Sequence, residues 1–159
     1  MMAVAAKPQA TAPRISDLVI DSKIEATWDP STNQTKQIRR AIGVSARNRR
    51  VKRDETWERK HILGSGTFGI VWLEECIASS EPNHDSSRLR AVKEIRKPHN
   101  VSASSFHREL EAMAKFSQER FEHYFVHSFG WFEDETKLFI TMEYLKHGGS
   151  AAISHEAIP

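Results

Sequence analysis

The stretch Ile62-Leu63-Gly64-Ser65-Gly66-Thr67-Phe68-Gly69-Ile70-Val71-Trp72-Leu73 decides the fold. Apolar and β-branched residues flank a glycine-rich centre, the pattern of strand, tight turn and strand. Glycines at 64, 66 and 69 permit positive φ and remove Cβ atoms, so main-chain N–H groups can approach a phosphate closely. G-x-G-x-x-G alone is ambiguous, because dinucleotide-binding turns share it. In those turns the glycines open a helix, whereas Ile70-Val71-Trp72-Leu73 favours a strand. No Gly-Lys-Ser/Thr follows, which excludes a P-loop. A plain flexible hairpin is the alternative, and it would not require Val71 two residues beyond the last glycine.

Outward from this hairpin, a polar connection from Ser79 to Arg88 leads to a third strand, Leu89 to Ile95. Period two places Ala91 and Lys93 on one face of it: a small residue that leaves room for a flat ring, then a cation two residues along. Alone, a strand lysine is ordinarily a solvated edge residue. Ser102 to Lys115 reads as a helix, because Phe106, Leu110, Met113 and Ala114 form one stripe at helical spacing. Glu109 flanks that stripe, three residues after Phe106 and four before Met113, whereas Glu111 projects away. Glu109 is therefore either the carboxylate that pairs with Lys93 in a partly desolvated site or an ordinary helix-surface acid. Phe125 to Phe132 and Lys137 to Met142 form a second hairpin through Glu133-Asp134-Glu135-Thr136. The order is three strands, one helix, two strands.

Together, Gly64 to Val71, Ala91-Val92-Lys93, Arg108-Glu109 and Phe139-Ile140-Thr141-Met142-Glu143-Tyr144-Leu145 resemble the N-terminal lobe of a eukaryotic-type protein kinase, most like the Ser/Thr kinases. The resemblance runs from Trp57 to roughly Gly149. It implies an α+β fold, a five-stranded antiparallel sheet with one packed helix. It also implies that Leu63, Gly64, Ser65, Gly66, Thr67, Phe68 and Gly69 form a lid over ATP phosphates. Lys93 would contact the α- and β-phosphates with Glu109 as its ion-pair partner. Val71 and Ala91 would pack on adenine, Met142 would be the gatekeeper, and Glu143, Tyr144 and Leu145 the hinge whose backbone bonds the base. Ser150 falls near a ribose-contacting position.

Ser128 departs from the family pattern, standing where a bulky apolar residue is usual. After Gly148-Gly149 the sequence runs Ser-Ala-Ala-Ile-Ser-His-Glu-Ala-Ile-Pro159 without H-R-D-x-x-x-x-N, D-F-G or A-P-E. Arg53-Asp54 lacks the histidine and precedes the glycine loop. The expectation is a truncated lobe without the catalytic base or the magnesium-holding residues, inactive alone and at best a weak nucleotide binder. Mg2+ is expected only with the complete family domain.

Residues 1–54 are rich in Ala, Pro, Ser, Thr, Asn and Arg and read as a mostly disordered tail, apart from Leu18-Val19-Ile20; 55–159 form the lobe. Lys36 to Arg53 holds eight basic residues and no acid. It reads as a nuclear-localisation or phosphate-binding stretch or as a solvated basic linker. The net charge of +2 does not argue for a nucleic-acid partner. The single cysteine, Cys76, excludes an intramolecular disulfide and fits a structural thiol in a reducing compartment. No stretch is long and apolar enough for a membrane span, so the expected location is cytoplasmic or nuclear. His123 and His127 lie ~13 Å apart if on a strand, too far to share a metal ion. Asn33-Gln34-Thr35 and Asn100-Val101-Ser102 match the glycosylation pattern, with nothing to direct the chain to the secretory route.

Three functions compete. The first is the ATP-binding lobe of a kinase whose complete form phosphorylates protein hydroxyls. The second is a non-catalytic module that docks a protein partner through the surface a second lobe would cover. The third assigns nucleic-acid binding to the basic tail.

Overall fold

The computed structural model describes residues 17–42, 50–67, 69–81, 88–97, 104–116 and 126–146. In chain order the elements are α1 (Asp17–Asp21), β1 (Glu25–Asp29), β2 (Gln34–Ile42), β3 (Arg50–Gly66), β4 (Gly69–Ser79), β5 (Leu89–Arg96), α2 (Ser104–Phe116), β6 (Ser128–Glu133) and β7 (Lys137–Glu143). Every strand pair is antiparallel, and the sheet order is β1-β2-β3-β4-β5-β7-β6. The expected α+β arrangement of five strands and a packed helix is present as β3 to β7 with α2.

The expectation of a disordered tail over 1–54 is corrected for the described residues. α1, β1, β2 and the start of β3 are ordered elements of the same sheet. Asp29-Pro30-Ser31-Thr32-Asn33 turns β1 into β2: the Asp29 carboxylate accepts from the Ser31 N–H at 2.9 Å, and Asn33 takes φ 58°. Gln34 to Ile42 then pairs residue for residue with Glu58 to Arg50. Three cations of this stretch are strand residues with acidic neighbours: Arg40 bonds Glu25 at 3.2 Å, Arg53 pairs with Glu81 at 2.6 Å, and Arg39 approaches Glu55 at 3.9 Å. Arg47 and Arg49 lie outside the described residues.

The two ends of the sheet meet. Trp131 in β6 donates its main-chain N–H to Ser22 at 3.1 Å and accepts from Ile24 N–H at 2.8 Å, which closes the strands into a barrel-like layer. Alternation then separates two cores. Inside the barrel, Val92, Phe132 and Phe139 pack with Ile24, Ala26 and Trp28, and the Phe132 and Phe139 rings stack at 4.6 Å. The interior is also charged. Arg59 lies over the Trp28 ring at 3.7 Å, and Arg90 is held by Glu74 at 2.8 Å. Outside, α2 lays Leu110 and Ala114 against Trp131, Leu138, Ile140 and Val19, with Phe106 and Met113 half-buried beside them. The predicted stripe thus faces the sheet, and Glu111 is exposed.

Ser128 fits this packing in a way its polarity did not suggest. Its hydroxyl lies 2.7 Å from the Met113 sulfur, on α2, and accepts the Gly130 N–H at 3.2 Å, beside a register shift in β6. Cys76 is fully buried and burial pushes its thiol up, as a structural thiol requires.

Candidate functional site

The glycine hairpin is built by β3 and β4, with Gly64 opposite Val71, Ser65 opposite Ile70 and Gly66 opposite Gly69. Thr67 stands at the tip; Phe68 lies outside the described residues, as do Ser150 and His123. Two register shifts, between Arg59 and Ile62 and between Ile62 and Gly64, twist the strand just before the tip. The three glycines differ in what the fold asks of them. Gly69 has φ +136°, and a Cβ there would run into the Glu94 carbonyl oxygen. Gly64 and Gly66 have nothing within 4 Å of where a Cβ would stand. Packing therefore explains Gly69 and leaves Gly64 and Gly66 free of any demand from the protein itself. Two bare backbone positions beside open space suit a bulky anion.

Register sets the floor beneath the hairpin. Val71 in β4 lies opposite Lys93 in β5, which lies opposite Ile140 in β7; Leu73, Ala91 and Met142 form the next row. Cross-strand neighbours share a face, so Val71, Ala91, Lys93 and Met142 all lie on the α2 side of the sheet. Sequence reasoning overlooked Leu73, although it stands two residues beyond Val71 and period two alone would have found it. A cavity of about 870 Å3 opens elsewhere, among Gln37, Glu55, Trp57, Arg88 and Arg90, on the barrel-interior face of β5 rather than the Lys93 face.

Lys93 and Glu109 form an ion pair, with side chains 26% and 31% exposed. The helix supplies Glu109 because its neighbour Leu110 is buried against the sheet, which turns Glu109 toward the rim of the contact. A pair so open to water is worth at most ~1 kcal/mol by itself. Its value lies in placing a cation at a fixed point on the floor. Glu143 donates its main-chain N–H to the His127 carbonyl at 2.9 Å, so that donor is engaged within the protein. Tyr144 follows half-buried and Leu145 is 44% exposed. Of the three hinge positions, the main-chain donors of Tyr144 and Leu145 remain as candidates to face a ligand.

The donor set fits a nucleotide: backbone amides of a glycine hairpin and one ammonium for phosphates, and apolar Val71, Ala91 and Leu73 for a flat base. Among the described residues, no group of three or more His, Cys, Asp or Glu side chains gathers where it could hold a metal ion. Nor is any helix among them long and apolar enough to cross a membrane.

Residues 57–153 match the family described as protein tyrosine and serine/threonine kinase. The NT-3 growth factor receptor of Gallus gallus is 35% identical over 89 residues, 56% of this chain and 10% of that protein. The receptors of the same name from Homo sapiens and Mus musculus are each 36% identical over 89 residues, with the same coverage. The chain thus spans about a tenth of the length of the curated relatives it matches.

Proposed function

Because the chain belongs to the protein tyrosine and serine/threonine kinase family, we propose that its described lobe binds ATP between the glycine hairpin and the β4-β5-β7 floor. Within a complete kinase domain, this lobe would present the nucleotide for phosphoryl transfer to a protein hydroxyl. The observation that carries the reading is the Lys93–Glu109 pair on the same sheet face as Val71, Ala91 and Met142.

In that reading each residue has a limited task. Gly64 and Gly66 let backbone N–H groups close over the phosphates, and Gly69 holds the returning strand against β5. Lys93 neutralises phosphate oxygens while Glu109 keeps its ammonium from swinging into solvent. Val71, Leu73 and Ala91 exclude water from the base, and Tyr144 and Leu145 supply its main-chain contacts. Mg2+, when bound with the nucleotide, would offset phosphate charge through residues of the complete domain. These 159 residues contain no H-R-D-x-x-x-x-N or D-F-G, so this chain alone is expected to bind without transferring phosphate.

The acceptor is proposed as a protein hydroxyl. A preference for Ser/Thr comes from the sequence resemblance, while the matched family spans both tyrosine and serine/threonine kinases. Phosphoamino-acid analysis with a domain completed by a catalytic lobe assigns it.

Calorimetric titration of the purified chain with MgATP tests the site. Weak saturable binding that Lys93→Met removes supports it. No binding by the wild-type chain, or binding that survives Lys93→Met, defeats it.

A further inference from the structure

We propose that the segment Asp17–Ile24, which precedes the kinase-matching residues 57–153, is a built-in positioning element for the Lys93–Glu109 pair, with Val19 as the positioning residue. This rests on the reading of that pair as part of the nucleotide site.

α1 presents a single side chain to the protein. Val19 is fully buried, while its neighbours Leu18 and Ile20 are 47% and 57% exposed. Val19 joins the cluster of Leu110, Ala114, Trp131, Leu138 and Ile140, so it touches the same helix face that carries Glu109 at its margin. Its place is fixed from β6, not from the helix. The Trp131 indole N–H donates to the Val19 carbonyl at 2.8 Å, Trp131 N–H donates to Ser22, and Ile24 N–H donates to Trp131. Ser22 also donates its hydroxyl to the Val19 carbonyl at 2.9 Å. Strand β6 thus holds the segment, through Trp131 and through the Lys23–Glu133 ion pair at 2.9 Å, and the segment in turn wedges an isopropyl group against α2.

The half-exposed ion pair is too weak to decide where the helix sits. Apolar contacts decide it, and Val19 is the contact that comes from outside the sheet and helix. With Val19 in place, Leu110 is held at a set depth and Glu109 is within reach of Lys93. Without it, Leu110 and Ala114 lose a packing partner, and the helix settles where the pair is no longer formed.

Water-soluble carbodiimide reads the pair directly. It activates the Glu109 carboxylate, and the Lys93 amine, if adjacent, displaces the urea to leave an amide that peptide mass spectrometry quantifies. Lys60 and Glu75, 3.0 Å apart on the β3–β4 hairpin, serve as the control for an intact sheet. Val19→Ala should lower the 93–109 cross-link between about twofold and thirtyfold, the range of coupling that packing changes produce, and leave the 60–75 cross-link unchanged. Trp131→Phe, which retains a ring and removes the N–H, should lower it in the same direction. In the same variants MgATP affinity should fall, with no further fall when Val19→Ala is added to Glu109→Gln. An unchanged 93–109 cross-link in both variants, or a loss shared by the 60–75 pair, overturns the inference. A selective loss of the 93–109 cross-link in a chain that does not bind MgATP upholds Val19 as the positioning residue and defeats the nucleotide reading instead.

Discussion

Gly69 and Glu94 approach each other so closely that no side chain fits between them: Gly69 adopts φ +136° and its missing Cβ would point into the Glu94 carbonyl oxygen. Gly69→Ala is therefore expected to cost about 2–3 kcal/mol of folding stability in urea unfolding, from the disfavoured φ and the backbone clash. Gly64→Ala and Gly66→Ala meet open space. They should stay within about 1 kcal/mol of the wild type and weaken MgATP binding instead. Equal stability losses at all three positions would show that the hairpin is glycine-rich for its own folding.

Glu74 and Arg90 form a buried pair inside the barrel, with side chains 0% and 2% exposed. Glu74 also accepts from the Thr35 hydroxyl at 3.0 Å, and Arg90 donates to the Gln37 side-chain oxygen at 2.6 Å. Burial pushes the Arg90 guanidinium below its usual range, and Glu74 opposes that push. Glu74→Leu leaves the cation uncompensated and should cost about 3–5 kcal/mol. Combining it with Arg90→Met should recover much of the loss in a double-mutant cycle. A double-variant cost equal to the sum of the two single-variant costs would deny the coupling.

Acid should weaken the fold through two carboxylates. Burial raises Glu94, but Lys137 and Arg59 outweigh it and hold its carboxyl below the usual range; Lys97 and Lys23 do the same for Glu133. The folded chain thus holds these protons less tightly than the unfolded chain. Their contribution is complete above the unfolded value of about 4.3 and is lost as pH falls toward the lowered folded values. Melting temperatures should be level from neutral pH to about 5.5 and drop steeply below about 4.5. Glu133→Gln should make that drop shallower.

A chain beginning at Glu55 should fail to fold cooperatively. It lacks β1 and β2, so Val92, Phe132 and Phe139 lose the cover of Ile24, Ala26 and Trp28, and Arg90 loses Gln37. Thermal unfolding followed by circular dichroism checks this; a sharp transition in the shortened chain would make the N-terminal strands an accessory.

The hairpin from Ile62 to Leu73, the strand with Lys93 and the stripe of α2 were legible because each buries apolar residues at its own period. The pairing of Glu109 rather than Glu111 followed from the same stripe. β1 was missed because it is five residues long and turns only Ala26 and Trp28 into the barrel core, and β2 because its inward residues are polar. Thr35 and Gln37 alternate properly into the barrel, but they meet Glu74 and Arg90 rather than a hydrocarbon core. Hydropathy does not register a strand whose buried partners are hydrogen bonds. The turn at Asp29 to Asn33, with its proline and asparagine, is a hairpin signal that the reading of 1–54 as a tail passed over. Val19 was legible only as an apolar residue between two others. Its partners lie more than 90 residues away.

Where the sheet meets itself, Trp131 of β6 has its main-chain N–H and carbonyl taken by Ser22 and Ile24, which closes that point of the strand edge to a passing chain. That protection is uneven, since β2 and β3 pair at nine positions while β1 reaches β6 through the bonds of Ser22 and Ile24 to Trp131. The join is thus where the molecule opens first. Once open, Trp131 presents the same bonding groups to the Ser22–Ile24 segment of a second copy, so raising the protein concentration should favour exchanged dimers.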